Sequence, residues 1–176
     1  FYPRSYNMGI KSDVYKALNG FSKMRFGEDI DFSIRIFDNG YSCRLFPEAW
    51  VYHKRRTDFS KFFKQVYNSG IARINLYKKY PSSLKLVHLL PAVFTVGVFL
   101  LCLSALLLCS LVPLSLLLLY SILIFIDSAT HYKSIKIGFL SVGAAVTQLM
   151  GYGLGFIEAW WKRCVRGLDE FQAFEK

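Results

Sequence analysis

The chain has 176 residues, 53% of them hydrophobic and 17% aromatic, and its 22 Lys and Arg against 12 Asp and Glu leave a net charge of +10. So apolar a composition excludes a disordered chain. Charge and apolar content are also segregated: residues 1–85 carry 16 Lys and Arg against 7 Asp and Glu, whereas residues 86–126 contain none of the four. That excludes an ordinary soluble domain and reads as a basic aqueous part joined to a membrane part. No charged leader with a short apolar core stands at the front. The start at Phe1 reads as the middle of a longer protein, so a fragment is expected. Cys43, Cys102, Cys109 and Cys164 form no CxxC or Cys/His pattern; no disulfide framework is expected, which fits a cytoplasmic face.

A first short helix is predicted over residues 12–18, capped by Ser12 and ended by Asn19 and Gly20. Gly27, Glu28 and Asp29 open a second, whose buried stripe is expected at Ile30, Ile34 and Phe37, with Asn39 and Gly40 as its stop. Residues 41–53 alternate as two short strands would, broken at Pro47 and Glu48. In the second, Trp50 and Tyr52 face one way, Val51 and His53 the other. Asp58 is the expected N-cap of a third helix. Its Phe59, Phe62, Phe63 and Val66 follow helical spacing, Lys61, Lys64, Arg73, Lys78 and Lys79 supply charge, and Pro81 stops it. Such a helix suits the lipid interface and equally suits packing on an aqueous domain.

Residues 86–126 are long enough for two membrane spans of about 20 residues each, turning near residues 110–113. A polar loop is expected at residues 127–136 and a third span at 138–157. There Gly143, Thr147, Gly151 and Gly155 recur every four residues, a ridge of small groups that lets another helix come close. Gln148 is expected to point into protein, and Trp160 and Trp161 to anchor at the interface. Three crossings would put the tail opposite the basic N-terminal part, yet Lys162, Arg163 and Arg166 belong on the same side as it; either the last segment is interfacial or re-entrant, or the rule is overridden here.

Three places could carry chemistry. Glu28 and Asp29 lie at a helix N-terminus, where the dipole favours an ionised carboxylate suited to deprotonating an alcohol. Plain capping accounts for them too, and on local features alone is favoured by about three to one. His53 closes a predicted strand and precedes Lys54, Arg55 and Arg56; a neutral imidazole there can ligate a divalent ion while the cations hold phosphate oxygens. A strand-end His beside a solvated basic loop is the plainer account. The Gln65 to Arg73 segment, QVYNSGIAR, interrupts the aromatic stripe at Ser69 and Gly70 and leaves Arg73 available for phosphate, or merely snorkelling.

In this order the motifs resemble the C-terminal half of family 2 glycosyltransferases of GT-A fold. The residues that carry the resemblance are Asn7, NGF (Asn19 to Phe21), GEDIDFSIRI (Gly27 to Ile36), Gly40-Tyr41, PEAWVYHKRR (Pro47 to Arg56) and the Gln65 to Arg73 segment. The resemblance implies an α/β fragment, the acceptor-side half of a glycosyltransferase domain over residues 1–82, followed by an all-α transmembrane region over 83–161 and a polar tail over 162–176. It implies an inverting, hexosyltransferase-type enzyme with Asp29 as catalytic base and Glu28 as its partner. Arg55, Arg56, Gln65 and Arg73 would bind acceptor or diphosphate. His53 would join carboxylates of a DxD motif, which this chain lacks, on Mg2+ or Mn2+. The partners implied are a nucleotide-sugar donor, a lipid-linked or cell-envelope glycan acceptor and a membrane, with no nucleic acid. The catalytic part would be cytoplasmic, at a bacterial inner membrane. No QxxRW motif is present, which points to single transfer rather than polymer synthesis. A fragment of this kind is expected to be inactive alone. The reading from a different class is a non-enzymatic adaptor whose basic face binds anionic lipid. A transporter ranks last, because the spans hold almost no ionisable group.

Overall fold

A computed structural model describes residues 5–54 and 56–174. Helix α1 (Ser12–Ala17) is followed by α2 (Glu28–Asp38) and the long α3 (Phe59–Lys79). Then come α4 (Leu90–Leu107), α5 (Ser115–His131), α6 (Ile135–Trp160) and the short α7 (Glu170–Phe174). Among the described residues there is no strand, so the α/β expectation is overturned: the fold is all-α. Residues 41–53 run as irregular chain with a turn at Pro47 and Glu48. Alternation gives a segment the side-chain pattern of a strand, but a strand exists only where a second backbone takes up its N–H and C=O groups. None does so here. Trp50 and Tyr52 do share a side, their rings 4.9 Å apart and edge-to-face, but both are exposed.

Ser12 begins α1 rather than capping it; Lys11 holds the cap position without a side-chain bond. Asn19 and Gly20, both with positive φ, end the helix as expected. In α2 the buried face is displaced from the predicted stripe. Ile30 is buried, but Ile34 is only partly so and Phe37 is half-exposed, while Asp31, Phe32, Ser33 and Ile36 are the deep positions. Phe32 packs against Phe21 (4.9 Å between centroids) and Tyr15 (5.8 Å), and with Leu18 and Ile36 forms the small core beneath α1 and α2. The displacement has an electrostatic cause. Asp31, fully buried, meets Arg35 at 3.0 Å, the Tyr80 hydroxyl at 2.9 Å and the Lys79 ammonium, and that network turns the helix toward the end of α3.

Asp58 caps α3 as its sequence predicts, accepting from the N–H groups of Ser60 (2.7 Å) and Lys61 (3.1 Å). Ser69 and Gly70 do not interrupt the helix. Gly70 instead allows a close backbone approach, where α3 and α6 run side by side in the same direction. Phe59 lies on Gly143, Phe63 and Val66 on Gly151, and Tyr67 on Gly155. A Cβ on Gly70 would strike the Tyr152 carbonyl, and one on Gly155 the Tyr67 carbonyl. The predicted small-residue ridge is thus the seam for α3, the close backbone packing such spacing permits. Ile71 and Ile74 of α3, Ala92 of α4, and Phe156 and Ala159 of α6 form the larger core.

A methyl group at Gly155 has only backbone to displace. Gly155→Ala is therefore expected to lower stability by about 1–3 kcal/mol, the usual cost of overpacking, despite alanine's better helix propensity. Gly97→Ala in α4, where nothing lies within 4 Å of the added Cβ, should be neutral or slightly stabilising. Thermal unfolding of both variants in detergent checks the contrast.

Three helices are long and apolar enough to cross a membrane: Leu90–Leu107, Val112–His131 and Ile135–Val165. The first two meet at the predicted turn, a 3-10 segment at Val112–Leu114. The expected polar loop is shorter than predicted, since α5 continues through Asp127 to His131. Gln148 is exposed rather than turned into protein.

Candidate active site

The start of α2, the chain leading into α3, one face of α3 and the first half of α6 enclose a cavity of about 720 Å3. Asp29, His53, Arg56 and Gln65 all line it. Four of the residues singled out in the sequence therefore converge, from three separate segments. Thr57, Asp58, Phe59, Phe62 and Ser69 complete the wall, with Leu140 and Ala144 of α6 opposite.

Asp29 owes its position to Gly27. That glycine takes φ +90, a left-handed conformation that side chains oppose, and its substituent would also meet Leu76 and Ala72 at 3.3 and 3.4 Å. The chain thus turns sharply into α2 and presents Asp29 in the first helical turn, where the helix dipole favours negative charge. The Asp29 Oδ1 accepts from the Ile30 N–H at 2.9 Å, and its carbonyl accepts from the Ser33 hydroxyl at 2.8 Å. His53, Arg56 and Thr57 come from the irregular segment before α3. Phe62, Gln65 and Ser69 succeed one another about a turn apart along α3; the Ser69 hydroxyl is spent on the Gln65 carbonyl at 3.0 Å. The cavity thus sets two carboxylates, Asp29 and the helix cap Asp58, against an imidazole and a guanidinium, with the rings of Phe59 and Phe62 in its lining.

The other predicted site residues stand apart. Glu28 is in the first turn of α2 but does not line the cavity. Arg55 lies outside the described residues. Arg73 does not line the cavity; it lies on the α3–α6 seam beside Tyr152. Burial, followed by the charges of Arg73 and Lys85, holds the nearby His88 below the ordinary histidine range. The neutral His88 accepts at Nδ1 from the Lys85 N–H at 3.0 Å. A second cavity, about 340 Å3, lies between α3, α4 and α6. Its lining, Ile74, Tyr77, Leu84, Leu89, Ala92, Phe156, Ile157 and Trp160, carries no charge, so it offers no acid–base chemistry at neutral pH.

Among the described residues no three His, Cys, Asp or Glu side chains gather into a set that could hold a metal ion. The residues present therefore do not by themselves fit Mg2+ or Mn2+. Sequence reading missed the part played by α6: Leu140 and Ala144 have no local mark of a site, and only tertiary packing brings them to Asp29. Asp58 was legible, but as a cap.

Three helices long and apolar enough to cross a membrane, one of which, α6, helps to wall the cavity, are consistent with a membrane protein. The family model described as glycosyl transferase family group 2 matches residues 6–128, which takes in the cavity residues of α2, the following segment and α3. The chain belongs to that family. Neither a curated protein nor a solved structure gives a match.

Proposed function

We propose that the protein transfers a sugar, with inversion, from a nucleotide-sugar to a hydroxyl of a lipid-linked or envelope glycan acceptor at the cytoplasmic face of a membrane. The convergence of Asp29, His53, Arg56 and Gln65 in one cavity supports this reading, together with the family to which the chain belongs. Asp29 takes the proton of the acceptor hydroxyl as its oxygen attacks the anomeric carbon. The bond to the nucleotide diphosphate breaks, and the charge that develops on the leaving group is met by Arg56. Gln65 hydrogen-bonds the sugar or acceptor, and Phe59 and Phe62 exclude water. His53 orients the diphosphate.

Sugar transfer to native membranes, measured with a panel of labelled nucleotide-sugars, tests the activity. Arg56→Ala is expected to raise the donor KM by about 10- to 100-fold, the equivalent of about 1.5–3 kcal/mol for a charged hydrogen bond. An unchanged donor KM would take Arg56 out of diphosphate binding. Salt-sensitive binding to anionic vesicles without any transfer would favour the adaptor reading.

A further inference from the structure

We infer that α6 lies along the membrane surface instead of crossing it, so that the chain enters hydrocarbon only through α4 and α5. By length and composition α6 could cross. Three independent features of its packing oppose that.

The first is the company it keeps. Helix α3 accompanies α6 from Phe59 on Gly143 to Asn75, whose Oδ1 accepts from the Arg163 Nε at 3.0 Å. Lys61 and Lys64 fall between the contacts at Gly143 and Gly151, beside the middle of α6. Both are exposed, and helical rotation turns them away from the seam formed by Phe59, Phe63, Val66, Tyr67 and Gly70. If α6 crossed, α3 would be carried with it and would present two ammonium groups to lipid at mid-depth, which is strongly unfavourable.

The second is the difference between its two sides. Leu140 and Ala144 face the cavity that holds Asp29, His53 and Arg56. Gly138 meets Phe125 and Ala129 of α5; Leu149 and Gly153 meet Thr95 and Pro91 of α4. At about 100° per residue these two sets lie nearly half a turn apart. In the first half of α6, therefore, one side borders the cavity and the other receives α5, with α4 following on that second side at Leu149 and Gly153. A helix in the boundary plane meets that condition along its length; a crossing helix meets it only at an end.

The third is where the tail goes. The Arg25 backbone N–H donates to Glu170 at 2.7 Å, and the Arg25 guanidinium donates to the Phe174 carbonyl. Arg163 also closes the tail onto itself through the Leu168 carbonyl at 3.0 Å. The segment after α6 thus packs on the segment before α2, so both stand on one side. Two entries by α4 and α5 satisfy this, and three crossings do not. It also puts Lys162, Arg163 and Arg166 with the basic N-terminal part, which removes the conflict with the positive-inside rule.

The surface that meets lipid is the remaining side of α6. Phe139, Val146 and Leu154 are exposed along it and Trp161 just beyond its end, next to the largely exposed apolar helices α4 and α5. Its partner is the acyl boundary of the bilayer, and the exposed Arg166 lies at headgroup level. The inference stands apart from the chemistry of the cavity.

The test uses the full-length protein in sealed native vesicles, with Cys43, Cys102, Cys109 and Cys164 replaced by serine. Lys16→Cys and Arg166→Cys are expected to react with a membrane-impermeant maleimide from the same face; reaction from opposite faces overturns the inference. Fluorophores at Phe139→Cys, Val146→Cys and Leu154→Cys, quenched by lipids brominated at graded acyl depths, should report one shallow depth. A depth that passes from one face through the centre toward the other also overturns it. Phe139 packs on Phe125 of α5 (4.7 Å between ring centroids), whereas Val146 and Leu154 are exposed, so Val146→Cys and Leu154→Cys keep the depth reading even where Phe139→Cys disturbs folding.

Discussion

Asp31→Asn is expected to be among the most destabilising single substitutions in the chain, by about 3 kcal/mol. Breaking a buried ion pair from one side typically costs about 3–5 kcal/mol because the partner charges stay behind. The lower end applies because the Lys79 side chain is 43% exposed and can turn to water, whereas that of Arg35 is 20% exposed. Arg35 also donates to the carbonyls of Leu18 and Gly20, the latter at 2.8 Å, so the loss spreads to the end of α1 and the turn that follows it. Since Asp31 joins α2 to the end of α3, the same substitution loosens the platform under Asp29. The test is thermal unfolding in detergent; an unchanged Tm would mean that the network merely occupies space.

The pH dependence has a definite sign. Burial alone would raise the Asp31 pKa, but hydrogen bonds from Lys79 and Tyr80 and the Lys79 charge outweigh it and hold the carboxyl below its ordinary 3.8. A group whose pKa is lower in the folded state contributes fully above its unfolded value and loses that contribution as pH falls through the folded one. Wild-type stability should therefore decline below the ordinary carboxylate range. Asp31→Asn should decline less steeply there. On the alkaline side, the Lys79 pKa is raised above 10.5 because its bond and attraction to Asp31 and Tyr80 outweigh its own desolvation. Its contribution is full below 10.5 and is lost only above that.

The limits of sequence reading follow from the range of the forces involved. Asp58 was legible as a cap because its partners are two and three residues away. The turn near residues 110–113 and the three apolar segments were legible because length and composition decide them. The strands were not, because alternation over residues 41–53 is local whereas a ladder needs a distant backbone. The stripe on α2 was misplaced because periodicity counts apolar residues, and here two polar ones, Asp31 and Ser33, are among the deepest. The candidate site divides the same way. Asp29, His53, Arg56 and Gln65 were found as residue types suited to the chemistry. That Arg73 leaves the cavity and α6 enters it depends on the fit of Gly70 against Gly155, which no local pattern expresses.

On the proposed reaction, Asp29→Asn is expected to reduce kcat by about 10²- to 10⁴-fold, the usual contribution of a positioned general base, or about 3–5 kcal/mol of transition-state stabilisation. The substitution isolates that role well. Asparagine has the size of aspartate, and its carbonyl oxygen can still accept from the Ile30 N–H that now bonds the Asp29 Oδ1. The positive φ of Gly27, which sets the turn into α2, is untouched, and so is the Asp31 network that holds the helix in place. What disappears is the basic oxygen facing the cavity. Donor KM and Tm should therefore stay near wild type while turnover falls, since an interaction that matters only in the transition state shows in kcat rather than in binding. Glu28→Gln provides the contrast: Glu28 shares the first turn and the dipole but not the cavity wall, so a much smaller loss is expected. Wild-type turnover in Asp29→Asn would leave this carboxylate with capping alone and require another base in the cavity. A parallel fall in both variants would assign the effect to the helix terminus as a whole, because only a cavity-specific role separates two adjacent carboxylates in one turn.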